Sequence, residues 1–313
     1  MKKYISPLLL LIASIIWGLG FSAQKFAAEV PAFTIGVSRN IMATVFLLAI
    51  LPMLDKIRGN DRKDTNRKGI YKFTKYELVG GSIAGGVLCA ASALQQFGIG
   101  DGTDAGKASF ITALYVVLVP VFGIFFNRKA SLNVWISVAI AVLGFYLLCI
   151  DGSYGIAASD LLVLLCALVF AAHILVVDRF SPNSDGVRFA CIQFATGAVL
   201  NLILALIFES PIDLELLITN ILPIMFLGFG SSGVAYTLQI VGQKGTNPTV
   251  ASLIMSLESV FGVIGSVILL DEVMKTKEYI GCIIVFLAVI LAQIEFKPIV
   301  ARLRRGRTEN TNE

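Results

Sequence analysis

The sequence predicts an all-α integral membrane protein whose ten transmembrane helices form two inverted five-helix repeats. Three observations predict this fold class: a very apolar composition, ten apolar segments of membrane-spanning length, and a similarity between the two halves of the chain. Hydrophobic residues make up 57% of the chain and charged residues 15%, with a mean hydropathy of +0.84. Soluble globular domains have about 45–50% apolar and about 25% charged residues, so that class is excluded.

Ten apolar segments approach or exceed the ~20 residues that cross ~30 Å of hydrocarbon. The first has a basic start like that of a signal peptide. It lacks a small-residue cleavage site and further spans follow it, so we interpret it as helix one. The segments are 7–26, 31–54, 78–100, 104–127, 131–150, 159–178, 187–208, 216–240, 246–270 and 276–295.

The basic residues are sorted between the two sides of the membrane. The predicted outer segments contain only Lys25, Lys107, Lys275 and Lys277, and Arg39 lies within helix two. All other Lys and Arg residues fall in segments that are inner if the N-terminus is inside. By the positive-inside rule, this predicts cytoplasmic N- and C-termini in a cell (inner) membrane.

The second half of the chain repeats the first. ASIIWGLGF at 13–21 aligns with CALVFAAHI at 166–174, and ASFITALYVV at 108–117 aligns with ASLIMSLESV at 251–260. We therefore predict a first repeat at 1–150, with a basic cytoplasmic loop at 55–76, and a second repeat at 151–295, with a basic cytoplasmic tail at 296–313. Five spans per repeat give the two repeats opposite orientations, which is typical of secondary transporters.

The alignment of the repeats pairs several residues inside the helices. The pairs are Trp17 with Phe170, Gly20 with His173, Arg39 with Gln193, Ser92 with Tyr236, Gln95 with Gln239, and Tyr115 with Glu258.

Glu258 is the candidate for a coupling residue. It lies near the middle of helix nine, where an ionisable side chain costs roughly 2.5–3.5 kcal/mol on insertion scales and usually faces a protein interior or a wet cavity. Its symmetry mate Tyr115 also lies near the midplane. Glu258 either lines a transport cavity and exchanges a proton, or forms part of a helix-packing seam as a neutral, hydrogen-bonded side chain.

Arg39, about eight residues into helix two, is a candidate for the same cavity. A guanidinium binds carboxylates in a bidentate manner, so Arg39 could receive a substrate carboxylate or pair with Glu258. The structural alternative is a side chain that snorkels or ties helix ends together.

The remaining cavity candidates are uncharged or aromatic, and each has a structural alternative. His173 could relay a proton or bind substrate, or bridge two helices. The aromatic side chains could form cavity walls or ordinary packing. The two glutamines could make gating hydrogen bonds or join helices. These candidates are Trp17, Gln95, Tyr115, His173, Tyr236 and Gln239.

No motif in the sequence indicates a cofactor, a metal or an enzyme active site. The single histidine excludes HExxH, the five cysteines lack CxxC spacing, and no phosphate-binding glycine loop is present. A net charge of +4 sorted by membrane side is not a nucleic-acid signature. The expected partners are a small-molecule substrate, the lipid bilayer and protons. A second copy of the chain, in a homodimer, is a further alternative.

Several segments together resemble the drug/metabolite transporter (DMT) superfamily, specifically its EamA-type ten-helix members. They are SIIWGLGF in helix one, Arg39, LYVVLVPVF at 114–122, SLESVFGVIGSVILLDE at 256–272 and the following Tyr279-Ile280-Gly281. The resemblance covers nearly all of 1–295. It implies a central cavity between helices one to four and six to nine, helices five and ten at the periphery, and efflux as the activity.

We therefore expect a secondary active transporter, an exporter of a small metabolite such as an amino acid or related compound. It would work by alternating access around a midplane cavity, with proton coupling through Glu258. The alternatives are an uncoupled facilitator of the same fold and, from a different class, an integral membrane enzyme or a sensor.

Overall fold

The computed structural model describes residues 2–58, 72–123, 132–149, 156–244, 246, 251 and 254–293. All elements in these ranges are helical. Most of the predicted loop 55–76 and all of the predicted tail 296–313 lie outside the described residues, so the structure does not test them.

The described residues form ten principal helices, as the sequence predicts, and two short helical elements, Ser181–Asn183 and Leu214–Thr219. Seven spans are long and apolar enough to cross a membrane, and the fifth and ninth principal helices contain shorter apolar helices. The ten are α1 Lys2–Phe26, α2 Ala32–Arg58, α3 Lys75–Gly100, α4 Ala105–Ala113 with Tyr115–Gly123, α5 Leu132–Cys149, α6 Ala158–Phe180, α7 Gly186–Phe208, α8 Ile221–Met225 with Phe226–Ala235 and Tyr236–Gln243, α9 Glu258–Leu270, and α10 Thr276–Gln293.

The helix contacts are symmetric when the two sets of five helices are exchanged. Helix α1 packs on α8 and α9, and α6 packs correspondingly on α3 and α4. Helix α3 packs on α7, and its equivalent α8 packs on α2. The pairs α2–α7, α4–α9 and α5–α10 each join equivalent helices of the two repeats, so exchanging the repeats leaves these pairs unchanged. This pattern confirms the two-repeat architecture and places α5 and α10 at the periphery.

Side-chain contacts show which helix ends lie together. Lys25, at the end of α1, donates to the carbonyls of Ile99 and Thr103 at the end of α3. Lys107, at the start of α4, forms a 2.7 Å ion pair with Asp160 at the start of α6. We call the end of the bundle that contains these contacts the distal end. The opposite end, which carries the N-terminus, is the proximal end.

Carboxylates hold α2 and α7 together at both ends. Distally, Glu209 accepts hydrogen bonds from the amides of Phe33 and Thr34 at 2.8 and 2.7 Å and from the Thr34 hydroxyl at 2.8 Å. These amides are among the donors that a helix N-terminus leaves unsatisfied. Proximally, Asp55 pairs with Arg188 at 2.7 Å. Each repeat thus contributes one carboxylate that binds the other.

Glu272 makes an equivalent contact at the distal end of α4. Its carboxylate accepts from the amides of Ala105 and Gly106 at 2.9 and 3.1 Å. Asp104 occupies the N-cap position but makes no side-chain cap hydrogen bond. Burial, together with the nearby Glu272, raises the pKa of Asp104 above its ordinary value. The α4 N-terminus is therefore capped by the second repeat rather than by its own N-cap residue.

Glu209→Ala should destabilise the protein, because it leaves the first amides of α2 without their acceptors. A lost N-terminal cap costs about 1–2 kcal/mol. Thermal unfolding of the detergent-solubilised variant should show a lowered midpoint. The matched control is Glu215→Ala, which removes an exposed carboxylate nearby. Equal midpoints for the two variants would contradict this role for Glu209.

Candidate functional site

Helix α4 is interrupted, and helix α9 begins after a tight turn, at positions that the repeat alignment makes equivalent. The amides of Leu114 and Leu257 each bond to the carbonyl three residues back, at 3.2 and 3.3 Å, instead of four residues back. A new helical segment then starts at Tyr115 in α4 and at Glu258 in α9. Discontinuous helices near the midplane are typical of substrate sites in secondary transporters.

Small residues let α1 and α4 approach α9 closely beside this interruption. A Cβ added to Gly18 would lie 2.4 Å from the Phe261 Cβ, and one added to Gly262 would lie 2.3 Å from the Ser109 Cβ. The Ser109 hydroxyl also lies 3.1 Å from the Ser259 carbonyl oxygen. Glu258 is therefore held between two tightly packed helix contacts.

A cavity of about 40 Å³ lies between the two repeats. Among the described residues, members of seven helices line it, all but α5, α7 and α10. All eight side chains that the sequence predicts as cavity candidates are among the lining residues, which include Trp17, Arg39, Gln95, Tyr115, His173, Tyr236, Gln239 and Glu258. That they bind a substrate stays a prediction.

Arg39 is buried in the cavity wall and is held by hydroxyl groups rather than by a carboxylate. Its Nε donates to Ser232 Oγ at 3.0 Å and its Nη2 to Ser231 Oγ at 3.3 Å. These serines lie in Phe226–Ala235, a π-helical stretch, an element often found at functional sites. No carboxylate in the described part of the chain forms an ion pair with Arg39, so the alternative pairing with Glu258 is absent here.

Glu258 meets its symmetry mate across the repeat interface. It is 5% exposed, and it lines the cavity together with Tyr115, which is 4% exposed. Its Oε1 is buried without a hydrogen-bond partner among the described residues. A buried acceptor without a partner costs about 1–3 kcal/mol, so it is suited to a donor brought by a ligand.

Aromatic side chains of the cavity wall contact one another around Tyr236. The rings of Trp17 and Tyr236 meet edge to face with centroids 4.8 Å apart. His173, also in the wall, and Phe194, which lies behind the wall on α7, contact Tyr236 edge-on at 5.9 and 5.7 Å. Such contacts fix ring orientation and leave an apolar surface beside the polar groups.

The two glutamines that the alignment pairs have different surroundings. Gln95 accepts from Gln24 at 3.1 Å and donates to the Thr112 hydroxyl at 3.1 Å, which joins α1, α3 and α4 toward the distal end. Gln239, toward the proximal end, has a buried Oε1 without a hydrogen-bond partner among the described residues. Gln95 therefore joins helices, whereas Gln239 has an oxygen that can accept a hydrogen bond from a ligand.

Several polar residues at the site are not among the candidates that the sequence predicts. Gln24, Thr112 and Ser231 line the cavity. Ser232 and Gln193 lie behind it, against Arg39 and His173. Gln24 was detectable, because it lies seven residues after Trp17 and so on the same face of α1. The π-helical stretch had no such signal, since its glycines and serines equally suit ordinary packing between membrane helices.

Within the described residues, no group of three or more His, Cys, Asp or Glu side chains could hold a metal ion. Cys89, Cys166, Cys191 and Cys282 are buried as free thiols, as expected for small packing residues.

The sequence matches the EamA-like transporter family at residues 5–150 and 157–293. An uncharacterized transporter of Archaeoglobus fulgidus is 30% identical over 300 residues, which cover 94% of this chain and 87% of the relative. An uncharacterized transporter of Clostridium kluyveri is 22% identical over 234 residues, which cover 70% of this chain and 75% of the relative.

A solved structure has the same fold. Its TM-score is 0.65 at 17% sequence identity, with 95% of this chain and 98% of the other covered. At that identity the likeness concerns the fold alone.

Gly18→Ala should lower the unfolding midpoint, because the new methyl group would meet the Phe261 Cβ and the Glu258 carbonyl oxygen at 2.9 Å or less. Overpacking of this kind costs about 1–3 kcal/mol. Gly20→Ala, two residues along the same helix, is the control, since its nearest neighbour would be 3.9 Å away. Thermal unfolding that is equally lowered by both changes would contradict the close α1–α9 contact.

Proposed function

Because the chain belongs to the EamA-like transporter family, we propose that it is a secondary active exporter of small zwitterions or amines, such as amino acids and related compounds. It is a multi-pass membrane protein. Its proposed location is the cell (inner) membrane, with both termini cytoplasmic. The repeats 1–150 and 151–295 would move around the cavity between them.

The observation that carries this proposal is that Arg39 and Glu258 line the same cavity without an ion-pair partner among the described residues. Both are more than nine-tenths buried. Burying a charge without its counterion costs several kcal/mol, and an ion pair offsets much of that cost. A molecule that brings a carboxylate to Arg39 and an ammonium group to Glu258 would supply both counterions.

The unpartnered polar atoms favour a ligand that is rich in hydrogen-bond donors. Three amide or carboxyl oxygens on the cavity wall are buried and lack a partner, whereas the indole of Trp17 supplies one unpartnered donor. The oxygens are Oε1 of Gln24, Gln239 and Glu258. A primary ammonium group has three N–H donors in a compact volume, which suits this set of acceptors.

The aromatic wall accounts for the remainder of the substrate. Trp17, Phe170 and Tyr236 would bury an apolar side chain while the polar groups fix its head. A ligand cation could also lie over one of these ring faces.

Glu258 would couple export to protons by competition for one carboxylate. When it carries a proton it cannot bind an ammonium group, and when it binds the ammonium group it must release the proton. The substrate would then leave as a proton enters from the outside, and Tyr115 would hold the carboxyl group in place in both states. The gradient of protons would supply the energy, consistent with a sequence that has no nucleotide-binding motif.

The test is flux in proteoliposomes with a pool of labelled amino acids and amines. Wild-type protein should show counterflow and, under an imposed pH gradient, net flux opposite to the proton movement. Glu258→Gln should abolish the response to the gradient. Glu29→Gln, which removes an exposed loop carboxylate, should leave the response unchanged.

Two outcomes would contradict parts of the proposal. Exchange that ignores both the gradient and Glu258→Gln would leave an uncoupled facilitator in which Glu258 is structural. Absence of counterflow for every compound in the pool would reject the proposed substrate class.

A further inference from the structure

No residue of α7 lines the cavity among the described residues, but Gln193 on this helix makes a buried hydrogen bond to a residue that does. Gln193 on α7 has no exposed surface and does not line the cavity. Its Oε1 lies 3.0 Å from Nε2 of His173, which is 1% exposed and does line the cavity. Gln193 therefore lies behind His173, and its one contact to the site is with the imidazole.

This contact determines where the imidazole carries its hydrogen. An amide oxygen can only accept a hydrogen bond, so this orientation of the Gln193 amide selects the tautomer in which Nε2 of His173 is the donor. In that neutral ring, Nδ1 keeps its lone pair and can only accept. Among the described residues, no group forms a hydrogen bond with this buried Nδ1 atom.

The second-repeat position of Gln193 is equivalent to that of Arg39 in the first. Arg39 presents a cationic donor to the cavity directly, while Gln193 turns the neighbouring His173 into an acceptor. The pseudo-symmetric site thus has donors on the α2 side and an acceptor on the α6 side, which would orient a molecule that has a different group at each end.

We propose that Gln193 is a positioning residue that holds His173 as the Nε2–H tautomer, so that Nδ1 accepts a hydrogen bond from an N–H or O–H group of the transported molecule. The ligand contact rests on the proposed function of the cavity. The tautomer does not, and it can be measured without any ligand.

The chain contains a single histidine, so ¹⁵N-histidine labelling reports on His173 alone when the purification tag contains no histidine. In lipid nanodiscs near neutral pH, ¹⁵N NMR of the wild type should show a protonated Nε2 and an unprotonated Nδ1. Gln193→Leu should replace this state with a mixture of tautomers, because the acceptor is lost. Thr196→Val, a change on the same helix, should leave the spectrum unchanged.

A second variant changes the protonation of the His173 imidazole and keeps a hydrogen-bond acceptor at position 193. Gln193→Glu places a carboxylate against Nε2, which favours the imidazolium, so both ring nitrogens should be protonated. A wild type with protonated Nδ1, or a Gln193→Leu spectrum equal to that of the wild type, would overturn the positioning role.

The ligand contact is tested on the same samples. Saturating leucine or methylammonium should shift the Nδ1 resonance of the wild type, and resonances unchanged by both would overturn the acceptor role. In leucine counterflow, Gln193→Leu should raise KM about tenfold with little change in maximal rate, as expected for one lost hydrogen bond. Gln193→Glu should raise KM further, because an Nδ1–H repels an ammonium group.

A purely structural role gives a different result. Gln193→Leu and Gln193→Glu would then both lower the unfolding midpoint and the maximal rate of counterflow and leave KM unchanged. That pattern would overturn the proposal. Failure of wild-type counterflow with an intact tautomer pattern would count against the proposed function and the ligand contact, but not against Gln193 as the residue that positions His173.

Discussion

The contact between α4 and α9 is the interaction on which the site depends. The two helices are counterparts in the two repeats, and a tight backbone turn comes directly before Tyr115 in α4 and Glu258 in α9. The glycine contacts of α1 and α4 with α9 pack this region tightly. If the repeats move against each other, as we propose, the movement would act directly on Glu258.

Around this contact, the protein buries polar groups that it does not satisfy itself. At the ends of the bundle, Glu209 and Glu272 satisfy helix N-termini, and Asp55 pairs with Arg188. On the cavity wall, three amide or carboxyl oxygens are buried without a hydrogen-bond partner among the described residues. Such groups are costly in a membrane interior, so they suit a ligand that donates hydrogen bonds.

Composition and the repeat alignment were sufficient to predict the ten-helix fold and to select residues that converge on one cavity, because burial and pseudo-symmetry are both visible in sequence. The interruptions at Leu114 and Leu257 were not predictable, since leucine is a good helix former and the shift to tighter hydrogen bonds is set by packing. The pairing of Arg39 with Glu258 was open in the sequence. The structure instead places Arg39 against two serines of an irregular helix. The repeat alignment identified Gln193 only as the equivalent of Arg39. Its contact with His173 depends on the direction of both side chains, which the sequence does not determine.

The most direct test of the central claim, that this cavity is reached alternately from the two membrane faces, is labelling with a membrane-impermeant thiol reagent. Gln95→Cys and Gln239→Cys probe the distal and proximal ends in proteoliposomes. Alternating access predicts that each cysteine reacts from one membrane face only and that these faces are opposite. It also predicts that closing one end of the cavity by a cross-link increases labelling at the other end. Labelling of both positions from the same face, or no effect of closing one end on the other, would contradict alternating access through this cavity.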